Sequence, residues 1–261
     1  MKASFLREPT PYAAVNEMLG KVETAVSHIL GSQLRGLYLD GSLALGDFNE
    51  ETSDIDLLVL TADFLPNETI AKLAAMHDQL GKSGSKWGYE MEVSYVPQAV
   101  LNQLPRREKT FMLPRIERGE TLVVEPHEMD WVLHCHILRE HGITLLGPPI
   151  QTLLDPVSPD QIRQATRDLF NFWWRPMADN PQNLHHIGYR VYAILTMWRM
   201  LYTLRHGAIV SKPAAAQWAM AELDERWRGL AETAVSWRGE QLDNFAEAVA
   251  LIRFVDEEMR K

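Results

Sequence analysis

Asp54 and Asp56 stand two residues apart at the head of the apolar run Ile55, Asp56, Leu57, Leu58, Val59. Alternate residues of a strand share a face, so this spacing projects both carboxylates together while Ile55, Leu57 and Val59 enter a core. Two like charges that close repel, and their desolvation is costly unless a cation lies between them. Mg²⁺ suits such a position, because it takes one or two carboxylates together with substrate phosphates. Upstream runs the small-residue turn Gly41-Ser42-Leu43-Ala44-Leu45-Gly46. Its glycines permit backbone conformations closed to other residues. Ser42 can offer its hydroxyl and its amide to a phosphate at the start of a helix. A third acid comes from the stretch Tyr89 to Val96, in which Tyr89, Met91, Val93 and Tyr95 alternate with Glu90, Glu92 and Ser94. That pattern predicts a half-buried strand. Glu92 can therefore converge on the aspartate pair from a neighbouring strand, with Glu90 its rival on the same face.

A Gly-Ser turn followed by Asp-x-Asp resembles the signature of the nucleotidyltransferase superfamily. Within it the chain is similar to the aminoglycoside adenylyltransferases that modify streptomycin and spectinomycin. Glu92-Val93-Ser94, Leu146-Gly147-Pro148, Ser211-Lys212 and Gln217-Trp218-Ala219-Met220 follow that family in order and spacing. The likeness runs from about residue 10 to about residue 240. It implies transfer of AMP from Mg·ATP to a hydroxyl of a streptomycin- or spectinomycin-type drug, with release of pyrophosphate. Such transfer needs charge neutralisation at the triphosphate, an in-line hydroxyl and a proton acceptor.

By that resemblance Asp54 and Asp56 hold the metal. Glu92 is the catalytic base or a further metal ligand, and either role suits a carboxylate beside bound metal. Gly41 and Ser42 face phosphate. Ser53 touches phosphate or caps its turn. Asp130, 17 residues before Gly147, lies near the nucleotide. Lys212 offsets charge on the leaving pyrophosphate. Trp173 and Trp174 lie where the family has a tryptophan that helps bind streptomycin, and Asp179 follows as an acid for the cationic sugar. The sequence departs from the family at Arg175-Pro176-Met177, and at Trp237, where relatives carry a tyrosine on the nucleotide side. The same chemistry on a non-antibiotic acceptor, and a nucleotide-binding module without turnover, are the other readings of these residues.

Certain elements must position these groups. Helical periodicity runs from Tyr12 to Ile29, with Gly31 as its stop. Leu37 to Leu39 and Asp56 to Leu60 read as strands, Pro66 to Leu80 as a helix, and Gly81 to Gly88 as a loop. Leu101 to Val123 is a loop with a short helix and an edge strand. A helix is expected over Glu128 to His141. Beyond the breaks at Gly147-Pro148-Pro149 and Asp155-Pro156 the pattern is helical: Asp160 to Trp174, His186 to His206, Pro213 to Leu223 capped by Ser211, and Asn244 to Arg260, with a polar break at Asn180 to Asn183. The fold class is α+β. A mixed-sheet nucleotidyltransferase domain with helices spans 1–157, and an α-helical bundle that binds the acceptor spans 158–261.

Bulk composition narrows the partners. A net charge of −9 over 261 residues argues against nucleic acid. Eight acids and no Lys or Arg lie between Arg35 and Lys72, and such a stretch concentrates cations. No apolar run is long enough to cross a bilayer, and Met1 to Thr10 has no signal core, so a cytoplasmic protein is expected. The one cysteine, Cys135, allows no internal disulfide and reads as a packing residue. His134 and His136, and His185 and His186, lack transition-metal spacing and read as core or surface residues, with a substrate contact from one of them as the other reading. A monomer is expected.

Overall fold

The computed structural model describes residues 8–127 and 130–261. Met1 to Arg7, and the expected helix start at Glu128, lie outside the described residues. The chain divides into two compact units, Met1–Pro156 and Val157–Lys261.

The first unit opens with α1 (Ala13–Leu30), whose Val15, Met18, Leu19, Val22 and Val26 recur at helical spacing and are all buried. Strand β1 (Leu34–Leu39) leads through Asp40 into the five-residue α2 (Gly41–Leu45). Strand β2 (Ile55–Thr61), α3 (Asn67–Gly81), α4 (Lys86–Tyr89) and β3 (Met91–Pro97) follow. After α5 (Gln98–Leu101) come β4 (Phe111–Ile116), β5 (Val123–His127), α6 (Trp131–His141) and β6 (Ile143–Leu146). The strands form one mixed sheet in the order β5-β4-β3-β2-β1-β6. Among the described residues only β2 and β3 pair in parallel. A parallel pair needs a crossover, and α3 and α4 supply it.

Both faces of the central strands are buried, so β3 is not the half-buried strand its alternation predicts. Leu37, Leu39, Ile55, Leu57, Val59, Val93 and Tyr95 pack with α1 and α3. Residues of the other parity, Tyr38, Leu58, Leu60, Ser94 and Val96, are buried as well. On that side α6 turns Trp131, Val132, Cys135 and Leu138 inward. A sheet covered on both faces loses the polar half of its alternation, and the pattern survives at β3 only because Glu92 lies at the site. Tyr89 falls in α4, not in β3, and is exposed. The expected loop Gly81 to Gly88 contains the start of α4. The stretch 101–123 holds the end of α5, a short 3₁₀ turn at Leu104–Arg106 and β4, which is not the expected edge strand because β5 pairs along its outer side.

The second unit is helical. Helix α7 (Pro159–Leu169) begins with a capping box between Ser158 and Gln161. The expected single helix to Trp174 instead passes through a π-helical turn, Phe170–Trp174, into α8 (Arg175–Asp179). Helix α9 (Ile187–His206) ends where Gly207 adopts φ +64°. Helix α10 (Lys212–Glu222) is capped by Ser211, whose hydroxyl accepts from the Ala214 amide. Helices α11 (Arg228–Ser236) and α12 (Phe245–Met259) complete the unit. Trp198, Phe170, Met197 and Leu201 lie at the centre of its core.

Candidate active site

In the parallel register of β2 and β3, Asp56 stands opposite Glu92. Both face the α6 side of the sheet, in a pocket also lined by Asp40, Ser94, Arg115, Trp131 and His134. Asp54 is one residue ahead of β2, in the turn that feeds it, so the strand-parity expectation applies only to Asp56. Its charge is nonetheless felt by both partners. Burial raises the Asp56 pKa well above the carboxylate range, and Asp54, Glu92 and Asp40 raise it further, against the opposing effect of His134. Burial also raises Glu92; Asp54 adds to this, and Arg115 opposes it. Three acids, Asp40, Asp56 and Glu92, thus line one pocket with the charge of Asp54 near by, an arrangement that favours a bound cation.

The turn before α2 is shaped around Asp56. The Asp40 amide donates to the Asp56 carbonyl at 3.0 Å. Gly41 has φ +58°, and a Cβ there would overlap the Asp56 carboxylate oxygen Oδ2. Glycine is needed at this position for its backbone conformation and for space. The Ser42 hydroxyl and Asp40 Oδ1 are buried with no hydrogen-bond partner among the described residues. Ser53 accepts from the Asn49 amide at 3.1 Å, which closes the loop between the motif halves. The rival Glu90 pairs with Arg118 instead.

Three residues at this site escape the sequence reading: His134, Arg115 and Asp40. His134, expected to be a core or surface residue, donates from Nδ1 to Asp40 Oδ2 at 2.7 Å, and its Nε2 lies 3.9 Å from Asp130. Burial opposes its charge, but the Asp40 hydrogen bond and charge, with Asp130, outweigh that and raise its pKa to about 9. Arg115 on β4 lies 3.5 Å from Glu92, 3.3 Å from Glu117 and 3.6 Å from Glu125. A signal for Asp40 was present: it is the acid that ends the apolar strand Leu37-Tyr38-Leu39, directly before the Gly-Ser turn.

Among the described residues no three His, Cys, Asp or Glu side chains stand as a ready-made metal cage. Mg²⁺ does not require one, since it keeps several waters and shares its shell with phosphates. The donor set fits such an ion: hard carboxylates whose charges oppose one another in a buried pocket.

The remaining candidates lie in the second unit. Lys212 opens α10, with its Nζ 4.1 Å from the centre of the Tyr192 ring. Trp173 is 48 % exposed, and its Nε1–H donates to the Tyr189 hydroxyl at 3.0 Å. Trp174 is 2 % exposed and belongs to the core, so it does not present a ring face as expected. Asp179 is exposed at the end of α8.

This mixed sheet, with paired acids beside a Gly-Ser turn, defines a nucleotidyltransferase, and the nucleotidyltransferase domain family matches residues 19–124. Residues 152–261 match the C-terminal domain of aminoglycoside adenylyltransferases. The chain carries both domains in sequence and is similar along most of its length to aminoglycoside adenylyltransferases. It is 28 % identical over 243 residues to a spectinomycin 9-adenylyltransferase of Staphylococcus aureus, covering 88 % of this chain and 89 % of the relative. It is 27 % identical over 259 residues to an aminoglycoside (3'') (9) adenylyltransferase of Escherichia coli, covering 91 % and 94 %. Its fold matches the crystal structure of spectinomycin adenyltransferase from Enterococcus faecialis with ATP and spectinomycin. The TM-score is 0.72 at 20 % identity, over 94 % of this chain and 99 % of that one.

Proposed function

We propose that the enzyme transfers AMP from Mg·ATP to a hydroxyl of an aminoglycoside or aminocyclitol of the streptomycin and spectinomycin type, releasing pyrophosphate. The observation that carries this reading is the register that sets Asp56 opposite Glu92 beside the Gly41–Ser42 turn. Asp54 and Asp56 would hold Mg²⁺, with Glu92 as a further ligand or as the base. Bound there, the ion would offset the charge of the triphosphate. The unpartnered Ser42 hydroxyl is available to a phosphate oxygen. Glu92 accepts the proton of the attacking hydroxyl as its oxygen bonds to the α-phosphorus and the bond to pyrophosphate breaks. A carboxylate can do this because the hydroxyl becomes acidic only as that bond forms. In the second unit, Lys212 is the residue proposed for the triphosphate, and Trp173 and Asp179 for the acceptor. An exposed indole and a carboxylate suit a cationic sugar. The chain would work as a cytoplasmic monomer.

Incubation of the protein with Mg²⁺, ATP and a panel of streptomycin, spectinomycin and related drugs tests this. A product heavier by one AMP, with pyrophosphate released, is expected. No adduct on any drug would overturn the antibiotic acceptor. Pyrophosphate release with another hydroxyl compound would move the enzyme to a non-antibiotic substrate.

A further inference from the structure

We propose that His134 is a positioning residue for nucleotidyl transfer: through its bond to Asp40 it fixes the Asp40–Gly41 backbone that packs against the Asp56 carboxylate. This rests on the function proposed above and adds a residue to its machinery.

Three contacts carry the chain of effect. His134 Nδ1–H donates to Asp40 Oδ2 at 2.7 Å, across 94 residues of sequence. The Asp40 amide donates to the Asp56 carbonyl at 3.0 Å. Gly41 leaves the space that the Asp56 carboxylate fills. Helix α2 has only five residues, too few to hold this turn by its own hydrogen bonds. The turn therefore needs a tie from outside, and His134 on α6 provides it. Asp40 is 5 % exposed, and its other oxygen has no partner among the described residues. Without His134 a buried carboxylate would be left unpaired beside Asp56 and Glu92, and the turn would shift to relieve it.

The side chains of asparagine and glutamine separate the two ring nitrogens. His134→Asn places an amide N–H where Nδ1 is, within reach of Asp40. His134→Gln places it near Nε2, out of reach. Two measurements apply: affinity for a non-hydrolysable ATP analogue with Mg²⁺ by calorimetry, and kcat and KM on whichever drug the wild type modifies. Circular dichroism and thermal melting confirm the fold of each variant. His134→Gln should weaken analogue binding about tenfold and lower kcat about a hundredfold, the loss that a displacement of roughly 1 Å produces. His134→Asn should recover most of both. Asp40→Ala should match the Gln variant, and the double variant should lose no more than either alone.

The inference is overturned if the Gln variant, properly folded, stays within about threefold of wild type, a difference under roughly 1 kcal/mol. It is also overturned if Asn and Gln variants are equally impaired, because His134 would then act by packing alone. A wild type that binds the analogue but modifies no drug defeats the proposed acceptor only. The binding comparison still decides the role of His134.

Discussion

At the scale of single residues, space and charge make separate demands on the same few ångströms. Gly41→Ala inserts a methyl group against the Asp56 carboxylate and forces an L-residue into left-handed backbone. The substitution should cost about 1–2 kcal/mol of stability in denaturant titration and more than tenfold in activity, as the carboxylate is pushed aside. Arg115 acts differently. It opposes the burial and the Asp54 charge that raise the Glu92 pKa. Its loss leaves Glu92 easier to protonate, so the acid limb of the kcat/KM profile should move to higher pH in Arg115→Ala. A profile that does not move would show that Glu92 is not the group titrating in turnover. Glu92→Gln should abolish transfer while leaving nucleotide binding largely intact.

The scale of elements shows why some of this was legible beforehand. Asp54, Asp56 and Glu92 sit at strand ends, where spacing and apolar neighbours carry the information locally. Ser211 before Lys212 and Gly207 after His206 announced helix ends for the same reason. Asp40 and His134 are partners across 94 residues, and no local period encodes that. Arg115 lies in a stretch without clean periodicity, because β4 pairs with β3 at only two positions, Val93↔Ile116 and Ser94↔Arg115. Strand β6, Ile143-Thr144-Leu145-Leu146, is apolar but only four residues long, too short for periodicity to tell a strand from the end of the preceding helix.

A second element pair has consequences for stability. His77 on α3 bonds through Nε2 with the Tyr95 hydroxyl on β3 at 2.7 Å, both buried. Burial lowers the His77 pKa from 6.5 to about 4. Between those values the unfolded chain takes up a proton that the folded chain refuses. Stability from this residue is complete above about pH 6.5 and falls as pH drops toward 4, by about 2 kcal/mol at pH 5. His77→Gln keeps a polar partner for Tyr95 but cannot titrate. The difference in urea midpoint between pH 8 and pH 5 should shrink in that variant by the corresponding amount.

For the whole molecule, charge sets the terms of encounter. The net charge is −9, and eight acids precede Lys72 without an intervening cation. A polycationic acceptor should be drawn to such a surface, and salt should screen the attraction. If the acceptor is cationic as proposed, kcat/KM for it should fall by a factor of about three or more as ionic strength rises from roughly 0.05 to 0.3 M, with the fall in KM terms rather than kcat. A neutral acceptor would show no such fall. The division into two units was visible at Asp155-Pro156, where proline and acidic residues interrupt both the strand and the helical patterns, while the identity of the acceptor depends on surface shape that no periodicity records.

The sheet order places β6 beside β1, so the first strand made is completed by the last. During synthesis, β1 must wait until residue 146 has left the ribosome before its outer edge is hydrogen-bonded. For that interval the nascent chain carries an open, largely apolar strand, Leu37 to Leu39, of the kind that invites wrong pairing. Helix α6, which brings His134 to Asp40, emerges just before that closing strand. The turn before α2 is therefore tied down only as the sheet seals, and a ribosome that stalls between β5 and α6 would hold a chain that has Asp40, Asp54, Asp56 and Glu92 but not the histidine that ties Asp40.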